Sequence, residues 1–432
     1  MAHLIIKNVG PIKHVDIELN KVNIIMGPQS SGKSTINKIA CYCSWVEKKV
    51  SLDQSFGFFE EENVFINELV RFHKLKGYIQ PETYIEFEST IVKFKYSHQH
   101  GKPQFEWTDR FAYKRVKISY VSAERNMVAA IPNWFDVKFV DNNILSFMSD
   151  WGTARQLYSK ELPLSTIIGD VKYYFDKSSN KDYVIVNSDT TLEFTDTSSG
   201  LQSIIPMNVL LDNMIYAFDK IDDISNFKRL QQKTELMELI YILKNFSSSR
   251  RRRVVGQIEF KNGFISEWKK FENDESEKEF NTIIDNLTNT KSCRFYIEEP
   301  EQNLFPSAQR DLLYYMVKAI NSNDDHKLFI TTHSPYILYA LNNCMMGYLV
   351  KDKMPEAEKN EVSCRNSWIN PELVSVWEIK DGELRTTAES RNNTIQGEDG
   401  LISDNYFDEN MKEVMDDFYK MLNYYGDDKD RD

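Results

Sequence analysis

No stretch of eighteen consecutive apolar residues occurs in the chain, so no segment has the length and greasiness of a helix that crosses a bilayer. Nor is there a secretory leader pattern: Met1 to Lys13 pass directly into strand-like sequence with early Lys and His, and a cytoplasmic protein is expected. Cysteine is sparse. Cys41, Cys43, Cys293, Cys344 and Cys364 form an odd, scattered set of five, and the spacing of Cys41 and Cys43 is that of buried helix thiols, not of zinc ligands. Positive charge is also short, with 53 Lys and Arg against 65 Asp and Glu and a formal net charge of −12. Long-range attraction to nucleic acid is therefore not a property of the whole molecule, although a local basic patch can still provide it. Sustained heptads are missing, which excludes a long coiled-coil arm. What remains is a globular composition, 41% hydrophobic and 13% aromatic over 432 residues. That suffices for two or three domains or one large domain with insertions.

One stretch organises the rest. Gly27-Pro28-Gln29-Ser30-Ser31-Gly32-Lys33-Ser34-Thr35 has two glycines five positions apart followed by Lys and Ser. It follows a short apolar strand, Val22 to Met26, and a helix can continue from Ser34 to Cys43. Strand, loop and helix in that order form a phosphate cradle. Loop N–H groups converge on a β-phosphate and the helix N-terminus adds positive potential. Lys33 reaches the β- and γ-phosphates, the Ser34 hydroxyl can ligate Mg²⁺, and Gly27 and Gly32 leave room for the backbone to approach.

Four further stretches follow in chain order. The strand Lys117 to Val121 ends in Ser122-Ala123-Glu124-Arg125, which by itself is a surface Glu–Arg pair. Asp196-Thr197-Ser198-Ser199-Gly200-Leu201-Gln202 opens an apolar helix, and a serine turn of this kind is an N-cap and also an anion site. Arg294 to Ile297 is a short apolar strand ending in Glu298 and Glu299. Downstream of a phosphate loop, the first acid is placed to hold Mg²⁺ through water and the second to act as general base toward an attacking water. Lys327 to Thr332 is a buried-type strand ending in His333, Ser334 and Pro335. Between Asp219 and Lys291 lie helix-like Phe227 to Asn245, the basic run Arg250-Arg251-Arg252-Arg253, a strand pair near Val254 to Ile265 and an acidic helix from Glu272 to Leu287. The arginine run either binds nucleic-acid phosphates or an acidic protein, or is a solvated loop. At the tail, strands are expected at Gly347 to Lys351 and Val374 to Ile379. Glu409 to Tyr425 places Met411, Val414 or Met415, Phe418, Met421 or Leu422 and Tyr425 on one helix face, most simply as core packing.

Taken together, these motifs resemble the ATPase heads of the SMC, RecF and OLD-type families, a branch of the ABC ATPase fold that also includes phage-defence ATPases. The resemblance covers nearly the whole chain, with Leu201 and Glu298 departing from the commoner Gly and Asp. It implies an α/β P-loop NTPase fold, an ABC/SMC-head-like mixed sheet flanked by helices, with a helical insertion and a small antiparallel β lobe. The head would comprise residues 1–218 and 292–400, the insertion 219–291, and the C-terminal helix and acidic tail 401–432. The resemblance also puts Asn8 to Ile12 against adenine, Arg125 near the γ-phosphate and His333 in contact with it. Asn303 and Leu304 fall in a loop that crosses a dimer interface. Ser199, Gly200 and Gln202 then act as a signature turn on the nucleotide of a partner copy. ATP and Mg²⁺ are the implied cofactors and ATP hydrolysis the implied reaction, with Lys33, Glu299 and His333 catalytic and Ser34 and Glu298 on the metal. A homodimer or higher homo-oligomer would form across ATP and switch a separate effector or toxin, in anti-phage defence. A nucleic-acid-processing ATPase acting through Arg250–Arg253 is the alternative.

Overall fold

A computed structural model of the chain describes residues 2–131, 138, 140–187, 190–216, 236–237, 239–241, 243–244, 274–386 and 391–425. In chain order the strands are β1 (Ala2–Val9), β2 (Ile12–Leu19), β3 (Val22–Met26), β4 (Ile79–Glu88), β5 (Val92–Ser97), β6 (Pro103–Trp107), β7 (Val116–Val121), β8 (Leu164–Ser165), β9 (Lys172–Asp176), β10 (Lys181–Asn187), β11 (Thr190–Glu193), β12 (Ser292–Glu298), β13 (Lys327–Thr332), β14 (Val374–Lys380) and β15 (Glu383–Arg385). The longer helices are α1 (Lys33–Asp53), α2 (Val64–His73), α3 (Asn143–Ala154), α4 (Ser199–Tyr216), α5 (Asp274–Thr288), α6 (Pro306–Ile320), α7 (Pro335–Val350) and α8 (Tyr406–Leu422).

Eleven strands form one sheet in the order β6-β5-β4-β1-β2-β15-β14-β3-β13-β12-β7. The half from β14 to β7 is parallel, and the half from β6 to β2 is antiparallel. A four-stranded antiparallel sheet, β11-β10-β9-β8, makes the small lobe expected from the sequence.

Alternation along the parallel strands builds two cores. Val22, Ile24 and Met26 face one layer with α4, α6 and α7, while Ile25 faces the other with α1. The same parity recurs in β12, where Phe295 and Ile297 join the first layer and Tyr296 the second. A sheet covered on both faces in this way is the setting that suits parallel pairing. It also aligns strand ends: Met26 is in register with Thr332, Glu298 with Thr331, and Ile297 with Val121. The four residues or turns that follow these strands therefore arrive on one edge of the sheet.

Two tail expectations are corrected. Gly347–Val350 closes α7 and is not a strand; a Cβ on Gly347 would lie 2.0 Å from the Trp368 indole nitrogen, so this helix packs directly on that ring. The apolar stripe of α8 is not core either. Met411 is 63% exposed, Val414 65% and Phe418 49%, because only the first turn of α8 reaches the body of the protein. That turn is held by Asn405 capping Phe407 and Asp408 and by Tyr406 N–H donating to Glu378. Of the interval 219–291, the helix α5 is described; Arg250–Arg253, the strand pair near Val254–Ile265 and most of Phe227–Asn245 lie outside the described residues, as do residues 426–432.

Candidate functional site

The loop after β3 turns sharply, with Gly27 at φ 143°, Ser30 at 62° and Gly32 at 109°. Gly27 is demanded by the protein itself as well as by any ligand: a Cβ there would sit 2.2 Å from the Ile379 carbonyl oxygen of β14. Gly32 carries α1 out of the loop in a left-handed conformation, with Ile12 packed beneath it. Lys33 is 4% exposed and folds back on the loop, donating to the carbonyls of Gly27 at 2.9 Å and Pro28 at 2.6 Å. Burial pulls the Lys33 ammonium down to about 8, opposed by the charges of Glu299 and Glu301. Gln29 and Ser30 are exposed at the tip, Ser34 is half-buried and Thr35 buried. The Ser31 hydroxyl is buried without a hydrogen-bond partner. A donor-rich concavity with an unspent hydroxyl and a lysine resting on its own carbonyls fits a polyphosphate.

On the same edge, Glu299 leaves β12 in the left-handed region at φ 44°, with its N–H held by the Thr331 carbonyl at 2.9 Å. Its Oε1 lies 3.3 Å from His333 Nε2. That hydrogen bond holds the Glu299 carboxyl below its ordinary value against the opposing effect of burial, aided by Lys33 and Arg125. Glu298 is buried; its Oε1 accepts from the Tyr120 hydroxyl at 2.7 Å and its Oε2 from the Ala123 N–H at 3.4 Å. Lys38 Nζ stands 4.0 Å away. One carboxylate with lone pairs to spare and one hydroxyl, Ser34, is the donor set expected for Mg²⁺, which keeps several waters and takes substrate phosphates. Among the described residues no cluster of three or more His, Cys, Asp or Glu offers a fuller metal cage.

Arg125 is not placed to sense a phosphate in this conformation. It is fully buried, and its Nε and two amino groups donate to the carbonyls of Ser203, Ser122, Glu298, Glu299 and Pro300 at 2.7–3.5 Å. All five of its N–H donors have acceptors. Arg125 thus ties the acid-bearing turn to α4. The serine turn also differs in detail. Ser198, not Ser199, caps α4: its hydroxyl accepts from Leu201 N–H at 3.4 Å and its carbonyl from Gln202 N–H at 3.0 Å. The Gln202 amide donates inward to the carbonyls of Thr195 and Thr197, so it shapes the turn. Ser199 is left exposed, and Gly200 rests on the Asn303 carbonyl and Leu304; a Cβ there would lie 3.1 Å from that oxygen. Asn8, at φ 52°, donates to the Glu82 carbonyl, and Gly10 packs on Tyr78.

Three residues escaped the sequence reading. Glu301 is half-buried, accepts from Thr332 Oγ1 at 2.9 Å and from His333 N–H at 2.5 Å, and so fixes the turn that carries His333. Burial pushes its carboxyl up, partly offset by those donors. Tyr120 supports Glu298 from the neighbouring strand, a relation that only pairing reveals. Lys38 had a signal, since it lies one helical turn after Ser34 and shares its face.

Among the described residues no helix is long and apolar enough to cross a membrane. The family model described as "AAA domain" matches residues 3–293, and that described as "AAA ATPase domain" matches residues 284–338. A search of curated proteins finds no match. Among solved structures, the SMC head domain from Thermotoga maritima matches with 10% identity and a TM-score of 0.34, over 78% of this chain and 90% of that one. The Smc head domain with an extended coiled coil from Pyrococcus furiosus matches with 9% identity and a TM-score of 0.33, over 79% and 92%. The recombination mediator RecF in its ATPrS form matches with 12% identity and a TM-score of 0.29, over 89% and 97%. The first family model spans about two thirds of the sequence, from β1 into β12, and the second carries the match through Glu299 and His333; the chain belongs to the AAA family and is an ATPase.

Proposed function

We propose that this ATPase works as a pair of copies closed around ATP, and that the state of the pair controls a separate effector protein. The observation that carries the reading is the meeting of Glu299 and His333 at 3.3 Å on the sheet edge that also bears the Lys33 loop. The exposed Ser199–Gly200 turn is seated on Asn303 and Leu304, and Phe305 beside them is 77% exposed. An outward-facing helix N-terminus without an acid in its first turn suits a phosphate presented by a second copy.

In this reading the triphosphate takes the loop N–H groups of residues 27–35, and Lys33 exchanges the Gly27 and Pro28 carbonyls for phosphate oxygens. Ser34 and, through water, Glu298 would hold Mg²⁺, which when bound neutralises phosphate charge. Glu299 is ionised and orients the attacking water, receiving its proton as the water oxygen bonds to the γ-phosphorus and the bridging bond to ADP breaks, with ADP as leaving group. His333 fixes the direction of that carboxylate, and Glu301 fixes His333. Release of the cleaved phosphate removes the charge that the two copies share and lets them part or turn, a change that an effector or toxin on another chain can read. Anti-phage defence is the setting in which we place such a switch.

The test pairs two measurements on Glu299→Gln. Phosphate release is expected to fall by about 10²- to 10⁴-fold while ATP binding persists. With ATP and Mg²⁺ the variant is expected to sediment as a dimer, and Ser199→Arg in that background to sediment as a monomer. Normal turnover by Glu299→Gln removes Glu299 from its role. A monomer at saturating ATP removes the shared site.

A further inference from the structure

Away from the loop, a cavity of about 310 Å³ opens between the middle of α1, the end of α2, the start of α3 and β7. Its walls include Tyr42, Trp45, Phe72 and Tyr120, an unusual density of aromatic surface to leave around a space. Such a volume, lined by aromatic rings and by charged side chains, is at the small end of ligand pockets.

Two of its polar groups are unspent. His73 is 1% exposed, lines the cavity, and its Nδ1 has no hydrogen-bond partner. An orphaned buried ring nitrogen is unfavourable, and a partner arriving from outside would relieve it. Burial pulls this imidazole down to about 3, and the Lys38 charge adds to the effect; His73 is neutral at physiological pH and offers a directional hydrogen bond, not a charge. The second group is Lys48. Its Nζ gives one hydrogen bond, to the Val116 carbonyl at 2.8 Å, and keeps two donors in hand. Burial and the nearby cations Arg115, Lys117 and Arg294 lower it to about 8, with Asp150 opposing, so an arriving anion is favoured there. The other charges of the lining are already matched, because Arg71 pairs with Glu68 at 2.7 Å and with Asp141 at 2.5 Å.

The cavity also touches the nucleotide site. The Tyr120 ring meets His73 edge-on at 5.2 Å between centroids, and its hydroxyl donates to Glu298 at 2.7 Å. A ligand against Tyr120 and His73 bears on the carboxylate placed for Mg²⁺ through a single side chain.

We propose that this cavity binds a small planar heteroaromatic acid, its ring among the four aromatic walls, a ring heteroatom hydrogen-bonded to His73 Nδ1 and its carboxylate on Lys48, and that the bound acid alters ATP turnover through Tyr120. The site is independent of whether two copies share ATP.

The experiment uses the full chain and ligand-detected saturation-transfer NMR with quinoline-2-carboxylate, indole-2-carboxylate and orotate, against uncharged quinoline, indole and uracil. At least one acid is expected to bind at about 1 mM or tighter and more strongly than its uncharged parent. Lys48→Met is expected to weaken that acid tenfold or more, and Ser146→Phe, which fills the lining from α3, to abolish binding; thermal melts of both variants report that they are folded. Addition of the acid is expected to change ATP turnover about fivefold or more in the natural protein and not in Tyr120→Phe. Failure of all three acids to bind at about 10 mM, or binding that Lys48→Met leaves unchanged, overturns the site. Binding without any change in turnover overturns the link to Glu298.

Discussion

Lys33 spends the free state hydrogen-bonded to two carbonyls of its own loop, and this has a measurable consequence for nucleotide binding. Its ammonium is lowered by burial from 10.5 to about 8 in the free protein. A bound triphosphate stabilises the charged form and returns the group toward its ordinary value. The complex therefore binds more protons than the free protein between those two values. ATP affinity is expected to weaken as pH rises through about 8, with uptake of up to one proton per ATP. Titration calorimetry in buffers of different ionisation enthalpy at pH 7 and pH 9 checks this: near-zero uptake is expected at the lower pH and clear uptake at the higher. Glu299 has the opposite disposition, held ionised by His333, so loss of activity on acidification should begin only below the ordinary range of a glutamate. Its low basicity fits a group that aims a water more than one that strips it early.

At the scale of elements, Arg125 shows how a charged side chain can act as a joint. It links the end of β7, the first turns of α4 and the turn after β12 through carbonyl oxygens alone. Burial lowers it to about 10 and Glu301, Glu299 and Glu298 oppose the shift, so it remains charged at neutral pH. Arg125→Met keeps much of the volume and leaves the carbonyls without donors. A loss of about 3 kcal/mol or more is expected in urea unfolding, since bonds from charged donors contribute about 1.5–3 kcal/mol each but do not add in full. Turnover should fall with it, because the carbonyls it grips belong to Glu298 and Glu299. Helix α8 makes the contrasting case. Met411→Glu and Phe418→Glu, on its exposed stripe, are expected to shift stability by no more than about 0.5 kcal/mol. Trp151→Ala, at a fully buried ring in α3, is expected to cost about 3–5 kcal/mol. Equal costs at the three positions would mean that α8 is covered in solution.

For the whole molecule, the chain is an ATPase whose candidate site sits on one edge of a sheet that is parallel from β14 to β7, where the candidate residues lie, and antiparallel from β6 to β2. The order of pairing places β13 between β3 and β12, so the His333 strand separates the phosphate loop from the acids. That spacing is what allows His333 to reach Glu299. The expected dimer under ATP, in Glu299→Gln and not with Ser199→Arg added, belongs to this scale, because the exposed serine turn and the loop are surfaces of the assembled head.

Local chemistry was enough to read much of this from the residues alone. The glycine loop between an apolar strand and a helix, the strand that ends in two acids and the one that ends in His333 all depend on contacts between near neighbours in the chain, and the small antiparallel lobe came with the resemblance those motifs carry. The stripe on α8 misled, since a helical period shows which face is apolar and not whether anything covers it. Arg125, Glu301 and Tyr120 acquired their partners only when β7, β12 and β13 were laid side by side, across separations of 173 residues or more for Arg125 to Glu298 and Tyr120 to Glu298. Hydrogen bonds over such distances are set by which strands pair and in what register, and no short stretch of residues carries that information.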